Sequence, residues 1–133
     1  MTKGKIAYWT STGLLCLIYG AGAVMYTLQR PLVEEGFAHF GYPSYLVVVL
    51  IVVKILAPLA ILSRASVTLS DLAYAGMLFH LLLAVSAHLN AGDSGFLPAL
   101  IALALLTTSF LTQNLARKRR SPNVPNFHAQ TLA

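Results

Sequence analysis

Residues 46–62 read LVVVLIVVKILAPLAIL, an apolar run with a single charge, Lys54, at its middle. An ionised lysine at the centre of a bilayer costs about 2.5–3.5 kcal/mol on insertion scales. The leucine, isoleucine and valine side chains of the same run contribute about 0.3–0.6 kcal/mol each in favour of insertion, so the segment inserts in spite of its charge. Because an intramembrane lysine usually faces a partner or a cavity, we expect Lys54 to point into the protein.

Composition supports a membrane protein throughout the chain. Of the 133 residues, 57% are hydrophobic and only 10% are charged, whereas a soluble domain has about 25% charged residues. Four apolar stretches, each close to the ~20 residues that cross a bilayer as a helix, lack the alternation of a barrel strand. The sequence therefore predicts an all-α integral membrane four-helix bundle. Its transmembrane domain covers residues 1–116, with spans at about 8–28, 45–62, 69–89 and 96–115.

The segment between the first two spans predicts a further, short helix. Pro31 suits the first turn of a helix, and Glu34 and Glu35 are acidic residues close to that turn. Gly41 suits a C-terminal cap. We therefore expect a short amphipathic outer helix between helices 1 and 2, on the face of the membrane opposite to the termini.

Charged residues are distributed unequally between the two ends of the predicted bundle. One end carries Lys3, Lys5, Arg64 and Arg117–Arg120, and the other carries Arg30, Glu34, Glu35 and Asp93. The positive-inside rule then predicts that both termini are cytoplasmic. The net charge of +5 is explained by this asymmetry and indicates no nucleic-acid partner. Residues 117–133 form a basic tail, predicted to be disordered, that meets anionic membrane lipids.

Lys54 has a candidate partner in the third span. Pro58 has no N–H group, so the carbonyl of Lys54 loses its helical partner at the same depth as the ammonium. The third span runs in the opposite direction, which places His80 near the depth of Lys54. We expect a neutral His80 to accept a hydrogen bond from Lys54. This pair has two interpretations: a polar contact that only fixes helix packing, or a ligand or proton site.

Two further histidines, His39 and His88, fall at the outer boundary together with the acidic loop residues. His80 and His88 are separated by roughly 80° around the helix and ~12 Å along it, so they cannot chelate one ion together. Haem and metal cofactors are therefore disfavoured. Cys16 is the sole cysteine, which excludes an internal disulfide and a CxxC redox pair. No self-contained catalytic motif is present, so the sequence does not decide whether the protein is an enzyme.

With these residues identified, the chain resembles the DoxX-like family of small four-helix integral membrane proteins. The resemblance runs from about Tyr8 to Phe110 and rests on Tyr8-Trp9, EGFAHFGYP at 35–43, Lys54-Ile55-Leu56, Tyr74-Ala75-Gly76, His88-Leu89 and Gly92-Asp93. At His80 this chain departs from the family, which often has an acidic residue there. The resemblance implies the inner membrane of a bacterium. Some family members are linked to quinone-dependent sulfur oxidation or membrane redox complexes, and distant animal relatives to the assembly of other membrane proteins.

The residues and the resemblance together leave two main functions open. The first is binding of a lipophilic, quinone-like ligand as part of a membrane redox system, with a partner subunit supplying electron transfer. Its ligand-binding candidates are Lys54, His80, Tyr74, His39 and His88, with Tyr19, Tyr26 and Phe79 as further aromatic lining. The second is a non-enzymatic assembly or partner-binding factor, acting as a homo-oligomer or with another membrane subunit. Its contact surfaces would be the small residues of the first span and the amphipathic outer helix. A transporter is a third, less favoured function.

Overall fold

The structure, a computed structural model, describes residues 1–126 of the chain. Its helices are α1 (Lys3–Leu28), α2 (Arg30–His39), α3 (Leu46–Ser63), α4 (Val67–Ala91) and α5 (Phe96–Ala116). The part of the chain that the structure describes contains no strand. The helices α1, α3, α4 and α5 are long and apolar enough to cross a membrane. The prediction of an all-α four-helix membrane bundle is confirmed.

The four long helices form a square, since α1 packs against α3 and α5, and α4 packs against the same two helices. The helices α1 and α4 therefore occupy opposite corners of the bundle. Short links make successive long helices antiparallel, so the bundle has two distinct ends. We call the end with the start of α1 and the end of α5 the terminal end. The end that carries α2 and the α4–α5 link is the loop end.

The interior of the bundle is apolar, and so is most of its outer surface. Tyr19, Ile61 and Met77 belong to a buried cluster at the centre. Other large apolar side chains point away from the centre, as shown by Leu17 and Leu72, which are 69% and 66% exposed. In water such a surface would drive aggregation. Here it matches the hydrocarbon that surrounds a membrane-embedded bundle.

The predicted outer helix is also confirmed, as α2. Pro31 lies in its first turn, and an ion pair joins Arg30 Nε to Glu34 Oε1 at 2.7 Å. Val33 is buried against the bundle, whereas the adjacent Leu32 is 61% exposed. Beyond the end of α2, Gly41 has φ +81, a left-handed conformation that favours glycine because a side chain would be strained there. The chain then turns into α3.

The tail differs in part from the predicted disorder, which extends from residue 117. Arg117 Nε donates to the Tyr8 hydroxyl at 2.8 Å, and its Nη2 donates to the carbonyls of Ile61 and Leu62. Ser121 Oγ donates to Asp71 Oδ2 at 2.6 Å. These contacts hold the start of the tail against α1, α3 and α4. Residues 127–133 of the predicted disordered tail lie outside the described residues.

Candidate functional site

Lys54 is buried inside the bundle, as the sequence predicts for a charge at mid-span. It is 8% exposed, and its Nζ lies 4.9 Å from the ring centroid of Tyr19 and 4.8 Å from that of Tyr26. Both tyrosines belong to α1. An aromatic face attracts a cation electrostatically, with about 0.5–2 kcal/mol for each such contact. The two rings therefore replace the carboxylate that would normally accompany a buried ammonium.

Gly22, on α1 with the two tyrosines, leaves room for the Lys54 ammonium. A Cβ added at Gly22 would lie 3.2 Å from Lys54 Nζ, so a larger residue would require the lysine side chain to shift. Small residues let helices approach closely in a membrane. At this position the absent side chain makes space for Lys54 between Tyr19 and Tyr26.

His80 does not form the direct hydrogen bond with Lys54 that we expected. Its Nδ1 is instead hydrogen-bonded to the Tyr19 hydroxyl at 2.9 Å, and the two rings meet edge to face with centroids 5.6 Å apart. Tyr19 thus contacts Lys54 with its ring and His80 with its hydroxyl. The expected common depth of Lys54 and His80 is found, but the tyrosine connects them. This contact also crosses the bundle diagonally, because α1 and α4 occupy opposite corners.

An aromatic cavity of about 450 Å³ lies beside His80, between α3, α4 and the outer helix α2. We call it the loop-end cavity. Two histidines line it, His80 at the deeper end and His88 at the outer end. Aromatic rings line much of the remaining wall: Tyr26, Phe37, Phe40 and Tyr42. Lys54 does not line this cavity; it lies behind the Tyr26 ring. Leu83, another lining residue, is 61% exposed, so the cavity opens towards the lipid.

His88 and His39 lie at the loop end, but they have different surroundings. The His88 ring meets Phe40 edge to face at 5.0 Å, and its Nδ1 donates to Asp93 Oδ1 at 2.6 Å. The Gly95 N–H donates to the same oxygen at 2.8 Å. The Gly95 hydrogen bond, followed by that of His88, holds the pKa of the Asp93 carboxyl below its usual value. His39 is exposed and does not line the loop-end cavity.

Tyr74, another predicted ligand-binding residue, lies apart from the loop-end cavity. Its hydroxyl is hydrogen-bonded to Ser109 Oγ at 2.7 Å, and Ser109 is hydrogen-bonded to Thr12 at 2.6 Å. This buried network lies in the half of the bundle nearer the terminal end, where it joins α1, α4 and α5. Phe79, expected as further lining, is 65% exposed and faces away from the centre. The structure therefore brings His80 and His88 to one cavity, with Lys54 behind its wall.

Sequence reasoning missed the contribution of α2 to this cavity. Phe37 comes from α2 and Phe40 directly follows it, and the Phe37 ring meets Tyr26 edge to face at 6.1 Å. The sequence contained one signal, the helical spacing of the apolar residues Leu32, Val33, Phe37 and Phe40. This pattern indicates that the segment has an apolar face, but it does not show which part of the bundle that face covers. No group of three or more metal-ligating side chains occurs within residues 1–126.

Sequence comparison identifies the family to which this architecture belongs. The chain matches the DoxX-like family over residues 10–110. It is a member of the DoxX-like family. No curated protein and no solved structure matches the chain. The matched range contains the whole loop-end cavity and Lys54. Membership of the DoxX-like family and the four apolar helices together establish a multi-pass membrane protein.

The variant Lys54→Met distinguishes a role of Lys54 in helix packing from a role in a ligand or proton site. We expect Lys54→Met to change the free energy of unfolding by no more than about 1 kcal/mol, because two lost cation–π contacts are offset by the removed cost of a buried charge. Equilibrium unfolding in mixed detergent micelles, followed by circular dichroism, measures this change. Ile55→Met, at a neighbouring position that is 49% exposed, is the matched control. A loss above about 2 kcal/mol relative to this control would show that the ammonium mainly holds the helices together.

Proposed function

We propose that this DoxX-like protein binds a lipophilic, quinone-like ligand in the loop-end cavity, as part of a membrane redox system. The observation that carries the proposal is a histidine at the deeper end of an aromatic cavity at membrane depth. A quinone combines a flat ring with carbonyl oxygens. Aromatic walls suit the ring, and an imidazole N–H suits the carbonyl.

The hydrogen bond from Tyr19 supports this role for His80. The Lys54 ammonium lies over the Tyr19 ring, which favours the phenol as a hydrogen-bond donor. If the Tyr19 hydroxyl donates to Nδ1, a neutral His80 carries its proton on Nε2. This nitrogen is then the donor for a ligand carbonyl. Lys54 contributes by orienting Tyr19 and does not itself have to reach the ligand.

Size and access are consistent with a ligand that arrives through the bilayer. The loop-end cavity measures about 450 Å³, within the usual range of about 300–1,000 Å³ for small-molecule sites. Its exposed rim at Leu83 faces the hydrocarbon. A ring with an isoprenoid or alkyl tail would place the ring among the aromatic residues and leave the tail in lipid.

The cellular setting forms part of the same proposal. We infer that both termini are cytoplasmic from the basic residues at the terminal end and the acidic residues at the loop end. The inner membrane of a bacterium is inferred from membership of the DoxX-like family. The ligand would then bind in the outer half of the membrane. Within this proposal the chain positions the quinone, and a partner membrane subunit supplies the electrons.

Titration of a short-chain ubiquinone or menaquinone analogue into the protein in lipid nanodiscs tests the role of His80. We expect His80→Leu to weaken binding about tenfold, because one hydrogen bond in an apolar site contributes about 1–1.5 kcal/mol. His80→Gln keeps an N–H donor and should restore most of the affinity. His39→Leu, outside the cavity, is the matched control and should leave binding unchanged. Equal affinities for the wild type and His80→Leu would contradict the proposed role.

A second candidate function, binding of a partner membrane protein, is favoured by a groove between α1 and α3. Its lining is mostly apolar and includes Gly20, Ala23 and Leu59, together with the largely buried Lys54. A Cβ at Gly20 would meet no atom within 4 Å. Gly20 therefore does not serve close packing inside this chain, and an apolar helix of a partner subunit suits the groove. Native mass spectrometry in nanodiscs separates the two functions: bound quinone supports the first, whereas a quinone-free complex that Gly20→Leu dissociates supports the second.

A further inference from the structure

The terminal end of the bundle contains a second, polar pocket that is separate from the loop-end cavity. It has a volume of about 610 Å³ and is lined by Trp9, by residues 63–65 and by residues 116–119. These residues belong to the first half of α1, to the end of α3 with the α3–α4 link, and to the end of α5 with the chain that follows it. We call it the basic pocket. It lies where two membrane-spanning helices end, at the depth of lipid headgroups.

Four of the residues that line the basic pocket are cations: Arg64, Arg117, Lys118 and Arg119. Its lining includes no carboxylate. Within residues 1–126, the Arg30–Glu34 ion pair and the His88–Asp93 hydrogen bond both lie at the loop end. Asp71, an acidic residue at the same end of the bundle, accepts hydrogen bonds from Ser121 and Asn123 and does not line the pocket.

Hydrogen bonds hold the three arginines of the basic pocket in place before any ligand arrives. Arg64 donates through Nη2 to the Arg119 carbonyl at 2.7 Å, and Arg119 Nη1 donates to the Ala65 carbonyl at 3.3 Å. Arg117 is fixed by the carbonyls of α3, and its guanidinium lies 4.6 Å from the Trp9 ring centroid. Neutral carbonyls and rings orient a guanidinium without removing its charge. Such a preorganised group of cations suits a phosphate.

We propose that the basic pocket binds the phosphate of an anionic phospholipid headgroup. Its position favours lipid over a soluble anion, because Trp9 is an interfacial aromatic residue and the apolar flanks of α1 and α3 lie next to the pocket. Acyl chains would then run along these helices while the phosphate contacts Lys118 and Arg119. This inference is independent of the proposed quinone site at the opposite end of the bundle.

Lys118→Ala combined with Arg119→Ala tests the pocket, because neither side chain has a structural role comparable to that of Arg64 or Arg117. Native mass spectrometry counts the phosphatidylglycerol retained by protein from nanodiscs of equal phosphatidylglycerol and phosphatidylcholine content. We expect the wild type to retain phosphatidylglycerol preferentially and the double variant to lose about tenfold in affinity for it. Circular dichroism checks that both proteins are folded.

Lys3→Ala combined with Lys5→Ala is the matched control, since it removes the same charge from the same end without touching the pocket lining. This control should keep the preference for phosphatidylglycerol. Equal losses in the two double variants would overturn the proposal, because they would indicate a diffuse attraction to the membrane surface. Displacement of the lipid by millimolar inorganic phosphate would also overturn it, in favour of a soluble phosphate ligand.

Discussion

Replacement of Arg64 with alanine is expected to lower the free energy of unfolding by about 3 kcal/mol or more. Arg64 is 7% exposed, and its Nη1 donates to Ser70 Oγ and to Gln113 Oε1. Both acceptor residues are fully buried. The variant would leave them without their charged donor, and unpartnered buried polar groups cost about 1–3 kcal/mol each. Unfolding in mixed detergent micelles, followed by the fluorescence of Trp9, measures the loss.

Two other substitutions at Arg64 and one at a distant arginine identify the cause of this loss. Arg64 has φ 50, so Arg64→Gly should be less destabilising than Arg64→Ala by about 1 kcal/mol, because glycine tolerates this backbone conformation. Arg64→Lys keeps the positive charge but lacks the planar set of N–H donors of a guanidinium. It should therefore recover only part of the stability that Arg64→Ala loses. Arg30→Ala breaks an exposed ion pair and should cost under about 1 kcal/mol. Similar losses for Arg64→Ala and Arg30→Ala would contradict the assigned role of Arg64.

Filling the loop-end cavity is expected to reduce quinone binding more than a hundredfold. Ala84 lines the cavity one helical turn from His80 and one turn from His88, so its side chain lies between theirs on one face of α4. A phenyl ring at this position would occupy the space assigned to the quinone ring. We therefore expect Ala84→Phe to abolish measurable binding of the quinone analogue in nanodiscs, and Ala84→Leu to give an intermediate affinity.

Ala104→Phe is the control for this experiment. Ala104 is exposed on α5, a helix that does not contribute to the cavity. The added ring should lie in lipid and leave both the fold and the affinity unchanged. If Ala84→Phe remained folded and bound the quinone as tightly as Ala104→Phe, the ligand would not occupy this cavity.

The sequence predicted those features that do not depend on how the helices rotate about their axes. The burial of Lys54 follows from the cost of its charge, and the shared depth of Lys54 and His80 follows from helix lengths and direction. The outer helix was predictable because its proline and its glycine mark its limits. Each of these inferences needs only local physical chemistry.

The features that were missed depend on how helices rotate relative to one another. Tyr19 and Tyr26 are two turns apart on one face of α1, yet nothing in that spacing shows that the Tyr19 hydroxyl reaches His80. Tyr74 is an aromatic residue on α4, the helix that carries His80, so its type and position suggest a site residue. Its hydrogen-bond partner in the structure is instead Ser109 on α5. A single sequence does not specify these rotations, because they result from packing over the whole bundle.

The burial of Arg64, in the link between α3 and α4, is another feature that the sequence alone does not specify. An arginine between two spans is normally interpreted as solvent-exposed and as a marker of topology. Its burial requires Gln113, which is remote in sequence and close only in the folded bundle. The ordered start of the tail likewise depends on Asp71 and Tyr8, which accept hydrogen bonds from the residues that follow α5.

The two polar networks that cross the bundle lie at different depths, and this separation has a consequence for how the protein can diverge. The Thr12–Ser109–Tyr74 network and the buried Arg64 join the helices in the half near the termini. The second network, the Tyr19–His80 hydrogen bond, lies in the other half, beside the open space of the loop-end cavity. If the loop-end cavity binds the proposed ligand, substitutions around that space can change which molecule is accepted while the first half keeps the chain folded. Ligand selectivity and folding would then be encoded by largely separate sets of residues.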